Sequence, residues 1–219
     1  REPTSLVSPF WFTSLTPSSS EVMFRELEAK SASAGSSNKI VTIQPCIRFS
    51  DMSPFSDGIH QIYFHMFTCF VIDCNDPKSE VDWFLKTLEQ AGLPIENSSF
   101  SYFKEPSIFV KEPKFTDFGK PLLDDLTIPF QRQIPCEGMA NYQIGLHKDE
   151  TGNNYEIWGP RIEVFSTDNL GIEYGTLIYG QGKIPGNKKL FPPVLALVVG
   201  IERSELIKKR IHDLWNLPE

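Results

Sequence analysis

Cysteine is scarce in this sequence: four occur in 219 residues, at Cys46, Cys69, Cys74 and Cys136. None forms a CxxC pair, and no matching Cys or His pair follows Cys69 and Cys74. Neither a zinc site nor a disulfide framework is therefore expected. Cys46 and Cys69 sit in apolar, strand-like runs and read as small core residues. No run approaches the roughly 20 apolar residues a membrane-spanning helix needs, and no secretory pattern opens the chain. A cytoplasmic location without membrane contact is the expectation. Positive charge is also in short supply, with a net charge of −7. The one dense basic run, Lys208-Lys209-Arg210, lies in a helical pattern and reads as a solvated face. Any nucleic-acid contact would need another domain or subunit.

What is present is an ordinary globular balance, 40% hydrophobic and 22% charged, in a length that suits one large domain. No internal repeat is visible. Residues 20 to 30 look helical, with Ser18 and Glu21 as a capping box and Val22, Met23 and Leu27 facing a core. Ser31 to Lys39 is small and polar, a loop. KIVTIQPCIRF (39 to 49) is a strand interrupted near Pro45, suited to a sheet edge or bulge. Ser50 to Gly58 is a turn. Gln61 to Ile72 alternates, with Ile62, Phe64, Met66, Phe70 and Ile72 on one face.

Asp76-Pro77 opens the clearest helix. Asp76 can cap it, Pro77 suits its first position, and Val81, Phe84, Leu85 and Leu88 follow helical spacing. Gly92 and Pro94 end it. Residues 101 to 136 have no clean period and read as short strands and loops. An insertion over about 93–140 of a single domain spanning 1–219 is expected. Arg161 to Phe165, Ile172 to Tyr179 and Val194 to Val199 are β-rich. Glu202 to Trp215 is an amphipathic helix, with Leu206, Ile207, Ile211, Leu214 and Trp215 inward. The fold class is α+β, an antiparallel sheet flanked by helices.

Two arginines stand at informative places. Arg48 ends a strand before a loop that returns as another strand, and Arg203 opens the helix after a buried strand, in VVGIER. Gln44 to Phe49 (QPCIRF) with Asp51, then Gly200-Ile201-Glu202-Arg203, resemble the second and third signature motifs of class II aminoacyl-tRNA synthetases. The resemblance is closer to the alanyl type, especially the archaeal one. Between these motifs Gly159-Pro160, Glu163, Glu173 and Gln181 fit that family's two sheet strands in order and spacing.

The resemblance implies activation of a small carboxylic or amino acid by ATP. That chemistry needs no protein nucleophile, only positioning and neutralisation of charge growing on phosphate oxygens. Arginine suits it because its planar fork stays ionised and grips phosphate through two hydrogen bonds. By resemblance Arg48 holds the α-phosphate and Arg203 the γ-phosphate, while Phe64 stacks on adenine. Glu163 and Glu173 hold Mg2+, which prefers oxygen ligands shared with phosphates. Asp51, His60 and Gln181 complete the ATP site. Class II cores commonly dimerise through their first motif, which would lie between about Phe10 and Ile40.

Each residue also has a plain reading. Arg48 and Arg203 can be salt-bridge partners, Phe64 core, Glu163 and Glu173 solvated strand residues, and Asp51 a turn former. Departures from the family pattern sharpen the question. Ala196 stands where the family has an Asp that binds the substrate α-amino group. His65 replaces an acidic residue, Ile59 a basic one and Thr176 an Asn. A Gly-rich stretch has become Leu197-Val198-Val199. With no tRNA-binding or editing domain in this sequence, ordinary alanine charging is not expected. Three readings remain: a stand-alone adenylate-forming paralogue acting on another acid, a non-catalytic subunit or regulator that binds nucleotide, and a binding module for a synthetase or tRNA.

Overall fold

The computed structural model describes residues 23–27, 38–47, 59, 63–103, 133–136, 141–148, 154–167, 171–182 and 192–211. Among them the strands are β1 (Asn38–Ile47), β2 (Tyr63–Ile72), β3 (Ser98–Phe103), β4 (Gln133–Cys136), β5 (Asn141–Lys148), β6 (Asn154–Ser166), β7 (Glu173–Gly182) and β8 (Val194–Gly200). The helices are α1 (23–27), α2 (Pro77–Gln90) and α3 (Ile201–Lys209). The sheet order is β1-β2-β8-β7-β6-β3-β4, and β5 pairs with β6. Every pairing is antiparallel except β3 with β4, which is parallel, and the expected antiparallel sheet flanked by helices is what forms. The last strand β8 inserts between β2 and β7, so only β2 separates the QPCIRF strand β1 from the strand that leads into Gly200–Arg203.

The alternation read from the sequence divides the sheet into two faces. Cys69, Val71, Leu195, Leu197, Val199, Leu177, Ile162 and Val164 share one core with Val81, Phe84 and Leu88 of α2 and with Leu206 and Ile207 of α3. Phe84 stacks on Phe67 of β2 with ring centroids 6.2 Å apart; truncating such a buried ring costs about 3–5 kcal/mol. On the opposite face Cys46, Met66, Phe70, Ile72, Ile178, Val194, Ala196 and Val198 form a second core, closed by Met23, Phe24 and Leu27 of α1. Cys46 and Cys69 are core residues, as their surroundings in the sequence suggested.

Local chemistry accounts for the helix ends. The Asp76 carboxylate accepts the Ser79 backbone N–H at 3.1 Å, and Pro77 occupies the first turn, as the cap and proline predicted. Helix α3 stops at Lys209 because Arg210 turns left-handed, with φ 55°, well short of the expected end at Trp215. Leu214 and Trp215 lie outside the described residues. Pro45 does not interrupt β1: it sits in continuous register opposite His65. No proline N–H is needed there, since β1 is the edge of the sheet. Strand β6 runs 13 residues, far longer than its apolar stretch alone suggested. Among the described residues no helix is long and apolar enough to cross a membrane.

Gly159 fixes how β6 meets β7. A Cβ there would collide with the Tyr179 carbonyl oxygen and the Gly180 Cα, both backbone atoms that cannot yield. The Gly-Pro pair singled out in the sequence thus permits a close strand approach just before the polar segment of β6.

Candidate functional site

The α1-side face carries the candidate residues in rows that cross the sheet. One row reads Ile40, Phe70, Ala196, Ile178, Arg161 from β1 to β6. The next reads Thr42, Thr68, Val198, Thr176, Glu163. Gln44, Met66 and Gly200 follow, and then Cys46 and Phe64. The face is sealed around Phe70, Ala196 and Ile178, each 1% exposed. It is half open at Phe64, Thr176, Glu163 and Glu173.

A bulge places Glu173 on this face. Val164 pairs with Gly175 but Phe165 pairs with Glu173, so β7 carries one extra residue. Without it, Glu173 and Thr176, three apart, would point to opposite faces. With it, the Thr176 hydroxyl donates to Glu173 Oε1 at 3.3 Å. Gly175 tolerates the crowding, because a Cβ there would lie 3.3 Å from the Val198 carbonyl. Tyr174 turns into the helix-side core, where its hydroxyl lies 2.7 Å from Ser98 Oγ.

Arg203 reaches Glu173 from the first turn of α3. Its Nη1 donates to Glu173 Oε2 at 2.9 Å and to the Glu173 carbonyl oxygen at 3.0 Å. Its aliphatic stem lies 3.9 Å from the position a Gly200 Cβ would take. On β6, Arg161 and Glu163 point the same way by alternation and pair at 2.9 Å. The Glu163 backbone N–H donates to Ser101 Oγ at 2.9 Å. Burial pushes the Glu163 carboxyl above its ordinary range; Arg161 opposes this and Glu173 adds to it. Two carboxylates on neighbouring strands therefore feel one another, each held by one arginine.

Glu202, next to Arg203, does different work. Its carboxylate accepts the His65 backbone N–H at 2.9 and 3.0 Å and His65 Nδ1–H at 2.7 Å. A carboxylate only accepts, so Nδ1 carries the proton. The Tyr63 hydroxyl lies 3.4 Å from Nε2. His65 therefore ties β2 to the start of α3, and Glu202 also complements the helix N-terminus. This is what the histidine does at the position where the family pattern has an acid.

The structure thus brings together Arg203, Glu173, Glu163 and, on the same face, Phe64, which is half-buried opposite Cys46. The salt-bridge reading of Arg203 is realised, with Glu173 as partner. Gln181 lies in β7 opposite Trp158. Arg48, Asp51 and His60 lie outside the described residues, so the geometry between Arg48 and Arg203 is not described. Ile59 packs against the helix-side core. Sequence reasoning missed Arg161, although its period-two spacing from Glu163 was a usable signal. It also missed Thr42 and Thr68, whose neutral side chains gave none.

No family model matches the chain, and no curated protein sequence matches it significantly. Among solved structures it is similar to the RNA binding domain of threonyl-tRNA synthetase from Cryptosporidium parvum Iowa II. That superposition has a TM-score of 0.57 at 14% identity, over 86% of this chain and 48% of that one. Apo histidyl-tRNA synthetase from S. aureus gives 0.48 at 14% identity, over 87% and 50%. A pyrrolysyl tRNA synthetase from Desulfitobacterium hafniense gives 0.40 at 15% identity, over 90% and 49%. The chain spans about half the length of each. These neighbours are class II aminoacyl-tRNA synthetases, and the fold, a largely antiparallel sheet flanked by helices, resembles the class II catalytic fold.

Proposed function

We propose that this chain is a relative of the alanyl-type synthetase core that binds ATP with Mg2+ and activates a carboxylic acid as an acyl-adenylate. The observation that carries the reading is the Arg203–Glu173 clamp at the start of α3, on the same face as Glu163 and Phe64. In the reaction, an oxygen of the acid attacks the α-phosphorus. The bond to the β-phosphate oxygen breaks, and pyrophosphate leaves with its electron pair. No protein base or nucleophile is required. Arg203 holds the γ-phosphate and Arg48 the α-phosphate, Phe64 stacks on adenine, and Asp51 and His60 complete the nucleotide site, while the register of Gln181 puts it with Leu177 and Tyr179 on the other face of the sheet.

The residues present fit a magnesium ion. Glu163 and Glu173 are two carboxylates on adjacent strands, and burial already raises the proton affinity of Glu163. A divalent cation would offset the burial of the Glu163 carboxylate and share its remaining ligands with phosphate and water. When bound, it neutralises charge on the phosphates. Arg203 contacts Glu173 through Nη1, and a guanidinium has five N–H donors, so the clamp and a phosphate contact are compatible. The acyl acceptor is a carrier or a tRNA presented by another subunit, and a homodimer fits the reading.

Calorimetry with a non-hydrolysable ATP analogue and Mg2+ tests the site. Arg203→Ala weakens binding at least about tenfold, as loss of a charge-assisted contact should. Glu173→Gln weakens it in Mg2+ but not in EDTA. Unchanged affinity in Arg203→Ala, or in an Arg48→Ala, Arg203→Ala double variant, would sink the reading. The seal around Ala196 supports a second reading, a nucleotide-binding subunit without activation. Pyrophosphate exchange separates the two: exchange with some acid supports the enzyme, and ATP binding with no exchange supports the subunit.

A further inference from the structure

We propose that the acid bound on this face is a small hydroxy-carboxylic acid rather than an amino acid, and that Thr68 and Thr42 hold its hydroxyl group. The inference rests on the acid-activating reading above and names its substrate class.

Two observations point the same way. The first concerns charge. Ala196 lies between Phe70 and Ile178 in one row, all three sealed in the apolar core. The two carboxylates nearest on the face, Glu163 and Glu173, are each neutralised by an arginine, Arg161 and Arg203. Among the described strand residues of this face no carboxylate is left without an arginine to meet a substrate ammonium, and burying one without a counter-charge is costly. The second concerns two hydroxyls. Thr68 is 0% exposed, and its Oγ1 has no hydrogen-bond partner. Thr42 stands directly opposite on β1, and its buried Oγ1 has no partner either.

Buried polar atoms are almost always paired, so two orphans in register on one strand pair call for an occupant. A threonine hydroxyl both donates and accepts, so the pair can hold a neutral hydroxyl and cannot neutralise an ammonium. The row that holds Thr68 continues through Val198 to Thr176, which touches Glu173. Two strand spacings, about 10 Å, separate Thr68 from Thr176 beside Glu173, and Thr42 lies one strand further away. A short acid reaches from one toward the other.

The test uses the intact chain with the ATP analogue and Mg2+ present. Calorimetry compares short hydroxy acids with matched amino acids and matched unsubstituted acids. The hydroxy acid binds several-fold to about tenfold tighter than both, the range of a neutral hydrogen bond. Thr68→Val keeps the shape, removes the hydroxyl and abolishes the preference over the unsubstituted acid, with ATP-analogue affinity unchanged. Thr68→Ser restores the preference. Amino acids binding as well as hydroxy acids, or no acid binding at all, would overturn the inference. So would a Thr68→Val variant that melts higher with acid binding unaltered, the mark of an internal water only. Hydroxy-acid binding sensitive to Thr68, without pyrophosphate exchange, supports this inference and removes the activating reading. Exchange insensitive to Thr68 does the reverse.

Discussion

Replacing Ala196 by Asp restores the residue type of the family pattern and should damage this protein. Ala196 is 1% exposed, between Phe70 and Ile178 and under the apolar contributions of α1. An ionised carboxylate placed there without a partner costs about 3–5 kcal/mol. A chain of this size loses about 2–4 °C of melting temperature per kcal/mol, so the expected fall at pH 7 is about 6–20 °C. The sign of the pH dependence follows. Burial raises the folded-state pKa of the new Asp above its unfolded value near ~3.9. The charge penalty is therefore absent below about pH 4 and grows as pH rises toward neutral. Ala196→Asn adds almost the same volume without a charge; its smaller loss, flat with pH, separates crowding from electrostatics. Thermal denaturation followed by circular dichroism at both pH values decides. A melting temperature for Ala196→Asp within about 2 °C of the parent at pH 7 would refute the sealed pocket. A free amino acid that restored the lost stability would show that an ammonium enters after all.

Two further substitutions probe the scaffold. In Glu163→Gln the carboxyl with the raised proton affinity is gone. A raised folded pKa favours the native state below the ordinary value of about 4.5 and loses that advantage as pH rises. The melting-temperature difference should therefore move in favour of Glu163→Gln between about pH 4 and pH 7, and parallel pH curves would contradict this. Gly159→Ala drives a methyl into the Tyr179 carbonyl, so β6 and β7 must part. A loss of at least about 3 kcal/mol in denaturant unfolding is expected, and a neutral outcome would mean that the strands are not in close contact there.

The legible part of the fold was local. Helix α2 was readable because its cap, its proline and its apolar period all agree over a few residues. The alternation in β2 correctly assigned Phe64, Met66, Phe70 and Ile72 to one face. The parallel β3–β4 pair was not legible, since β3 is placed by β6, a partner far along the chain, whereas β5 forms a hairpin with the very next strand, β6, and the sequence reading missed it all the same. Within the candidate site, the types and order of Glu163, Glu173 and Arg203 stood out in the sequence. Their contacts did not. His65 and Glu202 are 137 residues apart, and nothing local announces their bond.

Chain chemistry alone set which stretches extend, which coil and which side of each is oily, because those preferences act between near neighbours. It also set that Ala196 has no charge to offer. Only the assembled sheet decided that β8 slides between β2 and β7, that one extra residue turns Glu173 toward Thr176, and that two threonines in register each bury an unpaired hydroxyl. Those outcomes depend on strand register, and register is settled by packing both faces of the sheet at once.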